Sequence, residues 1–340
     1  MTKSVTLWIP ELLHRQRIEE AGDTLKKTRL PWLMRLLSKA DHLPQKSNAN
    51  FYQSASYLFH QSYTLPIAAT MVNTEISSAD DSLFWLKLDP VQLIADRDSL
   101  ILIPAKDLGI TEEESLALIK AFNQHFSEEK VTLQYGSKNS WYLSLLQAVD
   151  IQSTLIDDLY YKPLNDAFPK GNAATYWKKL LNETQMLFFS HPVNERRREE
   201  NLPEINSVWA WGEGQQDRST INTRKKATIY SNNLYLKGLA DKANAKHYAE
   251  PKKYQGGVDS SEHDLICLDS ITNNLPNLSE QEWINCLIEL DELWFEPLYQ
   301  DLKAGKIDSL LLDLGMKSRH HLQPKHLNRF WRLTKNITKL

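Results

Sequence analysis

Apolar positions along the chain follow two different periods. Short β-branched or aromatic runs at residues 5–9, at ATIY from 227, at DLICL (264–268) and at SLLLDL (309–314) have the length and composition of strands buried in a parallel sheet. Helical spacing governs other stretches. Residues 30–40 predict a helix. Residues 173–190 predict a longer one, with Trp177, Leu181, Thr184 and Phe188 on one face and Pro192 as its stop. A further helix opens at Ser279, which pairs with Glu282 as a capping box. Trp283, Leu287, Leu290, Trp294 and Leu298 then recur at three- and four-residue steps up to Gly305. Residues 41–50 are polar with Pro44 and read as a loop, and residues 52–63 as helical or mixed.

The stretch 84–145 has a different rhythm. FWLKL and LILI (100–103) precede a helix opened by Thr111 and Glu114, whose Ile119, Phe122 and Phe126 share a face. VTLQY and WYLSL then flank GSKN as a hairpin. The pattern predicts an α/β main lobe over 1–75 and 151–340, with an inserted α+β lobe over 76–150 that ends near Asp150, where a turn-rich stretch with Pro163 and Pro169 begins.

Composition narrows the class of protein. The 340 residues suffice for two lobes. A net charge of −3 argues against a generally basic nucleic-acid binder. Cys267 and Cys286 lack the number and spacing of a disulfide framework, a zinc site or a redox pair, which suits a reducing cytoplasm. The first apolar run is broken by Pro10 and Glu11, and no apolar stretch is long enough to span a bilayer, so the sequence predicts a soluble cytoplasmic chain. Most of the ten tryptophans fall where they would pack.

Two segments carry candidate chemistry. The first, LNETQMLFFSHPVNERRREENLPEINSVWAWGEG (181–214), runs from a helix through a polar HPVN turn and a charged stretch to a glycine-bracketed strand. It resembles the stretch that archaeal-type cofactor-independent phosphoglycerate mutases, members of the alkaline phosphatase superfamily, carry between their inserted lobe and the second half of their main lobe. The second, FWLKLDPVQLIADRDSL (84–100), resembles that family's strand and arginine-bearing turn. It is closer still to phosphoglycerate-mutase-like regulators of pathogenicity factors, where a tryptophan, a basic residue and Asp-Pro-Val recur in this order. NNLYLKGLA (232–240) is similar to the family's strand and glycine turn, and ELDELWFEPL (289–298) to its acidic helix.

The resemblance implies an alkaline-phosphatase-like central sheet flanked by helices, with an inserted α+β lobe. It also implies a ligand surface of Arg97, His191, Asn194, Arg196 and Arg198, which offer donors to phosphate or carboxylate oxygens, beside Gly212 and Gly214, which would admit a ligand close to the backbone. As a polar turn with neighbouring glutamates, the same residues also fit a solvated face.

The family's reaction uses a serine nucleophile and two metals held by Asp and His at the sheet's carboxyl edge. This chain departs from that pattern. Glu11 stands after the first strand with no serine in matching context, and Thr24 and Thr28 are poor substitutes. Asp269 stands alone after its strand, and Asp313 is followed by Leu314 where the family has His. Both aspartates also fit ordinary helix caps.

The leading expectation is therefore a catalytically degenerate pseudoenzyme in a regulatory role, with no cofactor, that binds a small anionic metabolite or a protein partner and neither nucleic acid nor membrane. One alternative is an active enzyme using manganese or zinc at Asp269, Asp313, His320 and His321. The other is a structural interaction module. The basic, aromatic residues 317–339, including His326, Arg329 and Arg332, predict a solvated terminal helix anchored by Phe330 and Trp331.

Overall fold

The computed structural model describes residues 3–44, 50–59, 64–216, 227–256 and 262–339. Parts of the stretches read above as a loop (45–49) and as helical (60–63) lie outside the described residues. Contacts divide the chain into two compact units, Met1–Tyr63 with Thr220–Leu340, and Thr64–Ser219.

The first unit is built on a seven-stranded sheet. Its strands are β1 (Ser4–Trp8), β2 (Asp41–Pro44), β8 (Ala227–Tyr230), β9 (Lys246–Tyr248), β10 (His263–Cys267), β11 (Ser309–Asp313) and β12 (Ser318–Leu322), in the order β2-β12-β11-β1-β10-β8-β9. The five from β11 to β9 run parallel, and β12 and β2 add an antiparallel edge. The apolar runs form these central strands because both faces are covered. On one face Leu7, Ile266, Leu310 and Leu312 pack with Leu33, Leu36 and Leu37 of the helix Pro31–Lys39, and with Trp283, Leu287, Trp294 and Leu298; on the other, Thr6, Leu265 and Ile229 are buried as well.

That last stripe is not one continuous α-helix. Glu280–Leu290 opens with the expected Ser279–Glu282 capping box, widens into a π-turn at Asp291–Phe295, and resumes at Glu296–Lys303. Pro297 has no N–H to offer the carbonyl of Leu293, which instead accepts from Tyr254 N–H at 3.1 Å. The buried Asp291 carboxylate accepts the N–H groups of Leu33 (2.6 Å) and Trp32 (3.3 Å), so it caps a helix whose own N-cap, Leu30, cannot.

The second unit holds a five-stranded antiparallel sheet: β3 (Phe84–Asp96), β4 (Ser99–Pro104), β5 (Val131–Ser137), β6 (Ser140–Leu145) and β7 (Ser207–Gln215). The thirteen-residue β3 pairs with β6 over residues 84–87, with β4 over 91–96 and with β7 over 84–91. Leu86 and Leu88 face a core shared with Leu118 and Phe122 of the helix Glu112–His125 and with Trp177, Leu181 and Phe188 of the helix Ala174–Phe189. Thr111 and Glu114 form the full capping box expected for the first of these helices.

Several local readings change. Residues 64–75 and 151–219 group with the 76–150 segment because β7 pairs along β3, the helix Ile67–Glu75 packs on both strands, and the turn-rich stretch bonds back to β4 through Tyr161 N–H to Leu102 O and Leu164 N–H to Leu100 O, each 2.9 Å. Residues 41–44 are a strand, paired to β12. Residues 234–242 are a helix rather than a strand, because Asn233 accepts the N–H groups of Tyr235 and Leu236 and starts one. Residues 317–339 contain β12 and short 3-10 turns, with no α-helix, and Phe330 and Trp331 point outward rather than anchoring.

Candidate functional site

Ligands of parallel α/β sheets approach the carboxyl ends of the strands, where side chains leave the sheet and loops open. Here that edge gathers Trp8, Cys267 and Asp313, which are register neighbours on β1, β10 and β11. Ser231 and Asn232 follow β8, and Asp269 follows β10. Asp313 is buried, and Nε of Arg319 donates to its carboxylate at 3.1 Å. Asp269 accepts Ser231 Oγ at 2.8 Å and Asn232 N–H at 3.0 Å. Glu250 accepts the N–H of Ser270 at 3.0 Å together with its hydroxyl; burial raises its pKa, and neighbouring Asp269 adds to the rise. Burial also pushes the Cys267 thiol well up, and Asp269, Glu250 and Asp313 reinforce the effect, so it remains a neutral thiol rather than a nucleophile.

The edge does not fit a two-metal centre. The carboxylate of Asp313 already holds a guanidinium, and Asp269 holds a hydroxyl and a backbone N–H. His320 lies beside Leu312 in the register, which turns it to the face opposite Asp313. Its ring is fully buried with both nitrogens lacking a hydrogen-bond partner, and burial, with nearby His42, holds its pKa down to about 4. His321 bonds Ser309 Oγ at 2.9 Å. Among the described residues no group of three or more His, Cys, Asp or Glu side chains is placed to hold a metal.

The residues singled out in the sequence as anion donors all lie in the second unit. Three of them share the helix Pro192–Glu199 or its cap. His191 caps it by accepting Val193 N–H at 3.2 Å, Arg196 is exposed, and Arg198 pairs with Glu204 at 2.6 Å. Half-burial and the charge of Arg196 lower the His191 pKa. Asn194 also lies on this helix but is fully buried. Its amide donates to Phe188 O and Ile205 O and accepts Ile205 N–H, each at 2.8 Å, so it holds the protein together and offers nothing to solvent. Arg97 sits exposed in the β3–β4 turn at φ 46°, and no hydrogen bond or ion pair joins it to that helix. The close approach that Gly212 and Gly214 allow is to this unit's own chain: a Cβ at either would come within 3.1 Å of Ile67 or 2.5 Å of Pro66.

Sequence reasoning missed three buried charged groups. Arg197, between the two nominated arginines, donates to Glu114 (2.7 Å), to Pro203 O (2.6 Å) and to Leu108 O. On β3, Lys87 and Asp89 face the helix Ile67–Glu75 and form a buried ion pair at 3.0 Å. Lys87 also donates to Ser140 Oγ and lies 3.9 Å over the Tyr142 ring, while Ser140 and Tyr142 both donate to Glu75, at 2.6 and 2.5 Å. Asp89 further accepts from Trp211 Nε1 at 2.8 Å and Trp141 N–H at 3.2 Å, and its pKa is raised by burial against the pull of Lys87. The signal lay in FWLKLDPV: a Lys and an Asp two apart on a strand share one face.

No family model matches the chain. Among curated proteins, the 2,3-bisphosphoglycerate-independent phosphoglycerate mutase of Methanosarcina barkeri is 25% identical over 178 residues, covering 46% of this chain and 44% of that one. The enzyme of Methanosarcina mazei is 25% identical over 138 residues, covering 38% and 34%. A probable enzyme of the same name from Geobacter sulfurreducens is 25% identical over 155 residues, covering 45% and 38%. The chain thus matches less than half the length of these relatives.

Among solved structures, the PH0037 protein of Pyrococcus horikoshii aligns with a TM-score of 0.60 at 13% identity, over 94% of this chain and 85% of that one. The cofactor-independent phosphoglycerate mutase of Thermoplasma acidophilum aligns with a TM-score of 0.52 at 13% identity, over 99% and 94%. The protein has a mixed α/β fold of the cofactor-independent phosphoglycerate mutase type, with sheets flanked by helices. It is a distant homologue of those mutases.

Proposed function

We propose that this phosphoglycerate-mutase-like chain binds a small phosphorylated or carboxylated ligand, or a protein partner, in a regulatory role and without two-metal phosphoryl transfer, in the manner of the regulators that the 84–100 segment resembles. The Asp313–Arg319 ion pair carries this reading. A carboxylate at the sheet edge that could bind a metal is neutralised by a fixed guanidinium. The terminal nitrogens of Arg319 make no hydrogen bond to a described residue, so they remain for ligand oxygens. His191, Arg196, Arg198 and Arg97 are further proposed anion donors, each at least partly exposed.

Thermal shift and calorimetry with 2- and 3-phosphoglycerate, with chelator or with manganese or zinc, test the proposal. The expected result is stabilisation that grows with ligand concentration, needs no metal, and is lost in Arg319→Ala. Steady manganese- or zinc-dependent turnover of a phosphomonoester that Asp313→Ala abolishes would overturn it in favour of an active enzyme. No response to any anion would leave the protein partner as the ligand.

A further inference from the structure

The segment 317–339 contains seven Lys or Arg residues and no Asp or Glu, in a chain whose net charge is −3. Its apolar residues are split. Leu322 and Ile337 are buried, whereas Phe330 is 83% exposed, Trp331 65% and Leu333 77%.

This exposure is held in place by the protein. Arg329 grips Asp41 with both terminal nitrogens, at 2.6 and 3.0 Å, and reaches Lys39 O at 2.9 Å. Lys39 Nζ donates to the carbonyls of Arg329 and Arg332, Arg332 donates to Ala40 O, and Lys335 N–H bonds Ser38 Oγ at 3.0 Å. Backbone and arginines are thus fastened to the end of the helix Pro31–Lys39, and the intervening aromatic side chains are left largely in solvent. The Phe330 and Trp331 rings meet edge to face, 5.2 Å apart. Lys317, Lys325, Lys335 and Lys339 are exposed and form no ion pair with a described residue.

We propose that this fastened turn is a docking surface for an anionic lipid bilayer, with Phe330, Trp331 and Leu333 entering the headgroup region and the free lysines resting on lipid phosphates and carboxylates. Protruding aromatic and aliphatic side chains on a segment rich in exposed lysine are the groups that partition into a membrane interface, and an anionic surface complements a segment without a single acid. Single-stranded nucleic acid would favour aromatics laid flat along a groove, and it gives Leu333 no role. The sequence predicts no membrane partner and a terminal helix here, with Phe330 and Trp331 anchoring it and its basic residues solvated; that helix does not form. Binding would be peripheral, since no helix among the described residues is long and apolar enough to cross a membrane.

Flotation of the full chain with phosphatidylcholine vesicles, with and without phosphatidylserine, tests the proposal. The chain should float with the phosphatidylserine vesicles and much less with phosphatidylcholine alone, and added salt should weaken binding. Phe330→Ser with Trp331→Ser should lower partitioning about tenfold or more at an unchanged melting temperature, since both rings are already in water. Lys325→Glu with Lys335→Glu should weaken binding to the phosphatidylserine vesicles only. Failure to float with phosphatidylserine, or equal flotation of the aromatic double variant, would overturn the proposal. So would an oligonucleotide affinity or a dimer that disappears in that variant without any vesicle binding.

Discussion

Lys87 and Asp89 show how one pair of side chains shapes the interior of the second unit. Taking an ammonium and a carboxylate out of water costs several kcal/mol per ion, so the pair is stable only because nearly every donor and acceptor is met: Ser140 and the Tyr142 ring for Lys87, Trp211 and the Trp141 N–H for Asp89. Lys87→Met should therefore destabilise the protein by about 3–5 kcal/mol in denaturant unfolding, because Asp89 is left buried without its cation. Adding Asp89→Leu should recover much of the loss. If the single variant unfolds at the wild-type midpoint, the pair is solvated and this account of it is wrong. Burial decided these roles. The sequence offered Arg196 and Arg198 as equally charged neighbours of Arg197, yet only the middle one points inward.

Elements obeyed local chemistry wherever that chemistry was complete. Both capping boxes formed because each supplies its own donors and acceptors within four residues. Elements that depend on a distant partner were harder to read. β2 exists because β12 lies beside it, and the turn after it in space is held by Asp41. The Arg329 guanidinium lowers the Asp41 pKa to about 2, against an unfolded value of about 3.9. A carboxyl with a depressed folded pKa contributes stability that is complete above the unfolded value and lost as pH falls through the folded one. The melting temperature of the wild type should therefore exceed that of Asp41→Asn above about pH 4 and converge on it as pH approaches about 2. A gap that persists unchanged into acid would show that Asp41 acts without its charge.

At the scale of the molecule, the second unit is one continuous stretch of chain, Thr64–Ser219, with its own sheet, four α-helices among its described residues and a core that includes Trp141 and Trp177. A stretch of that length and burial is expected to fold alone. Residues 64–219 expressed by themselves should unfold in one cooperative transition and keep near-ultraviolet dichroism from Trp141, Trp177 and Trp209. A gradual transition with strong dye binding would mean that the rest of the chain is needed. The first unit closes on strands from both ends of the sequence, β1 between β10 and β11, so neither of its segments holds the sheet without the other.

By itself the sequence determined the α/β class, the buried strands β1, β8, β10 and β11, and the helices with complete caps, because hydrophobic period and capping chemistry act within a few residues. It also carried the likeness to the phosphoglycerate mutases. Tertiary structure alone decided which charges are buried, where the second unit begins and ends, and what Asp313, Asn194 and Gly214 touch: Arg319, the ends of β7's approach at Ile205, and Pro66. These outcomes depend on contacts between residues far apart in the chain, where desolvation and pairing outweigh any local preference.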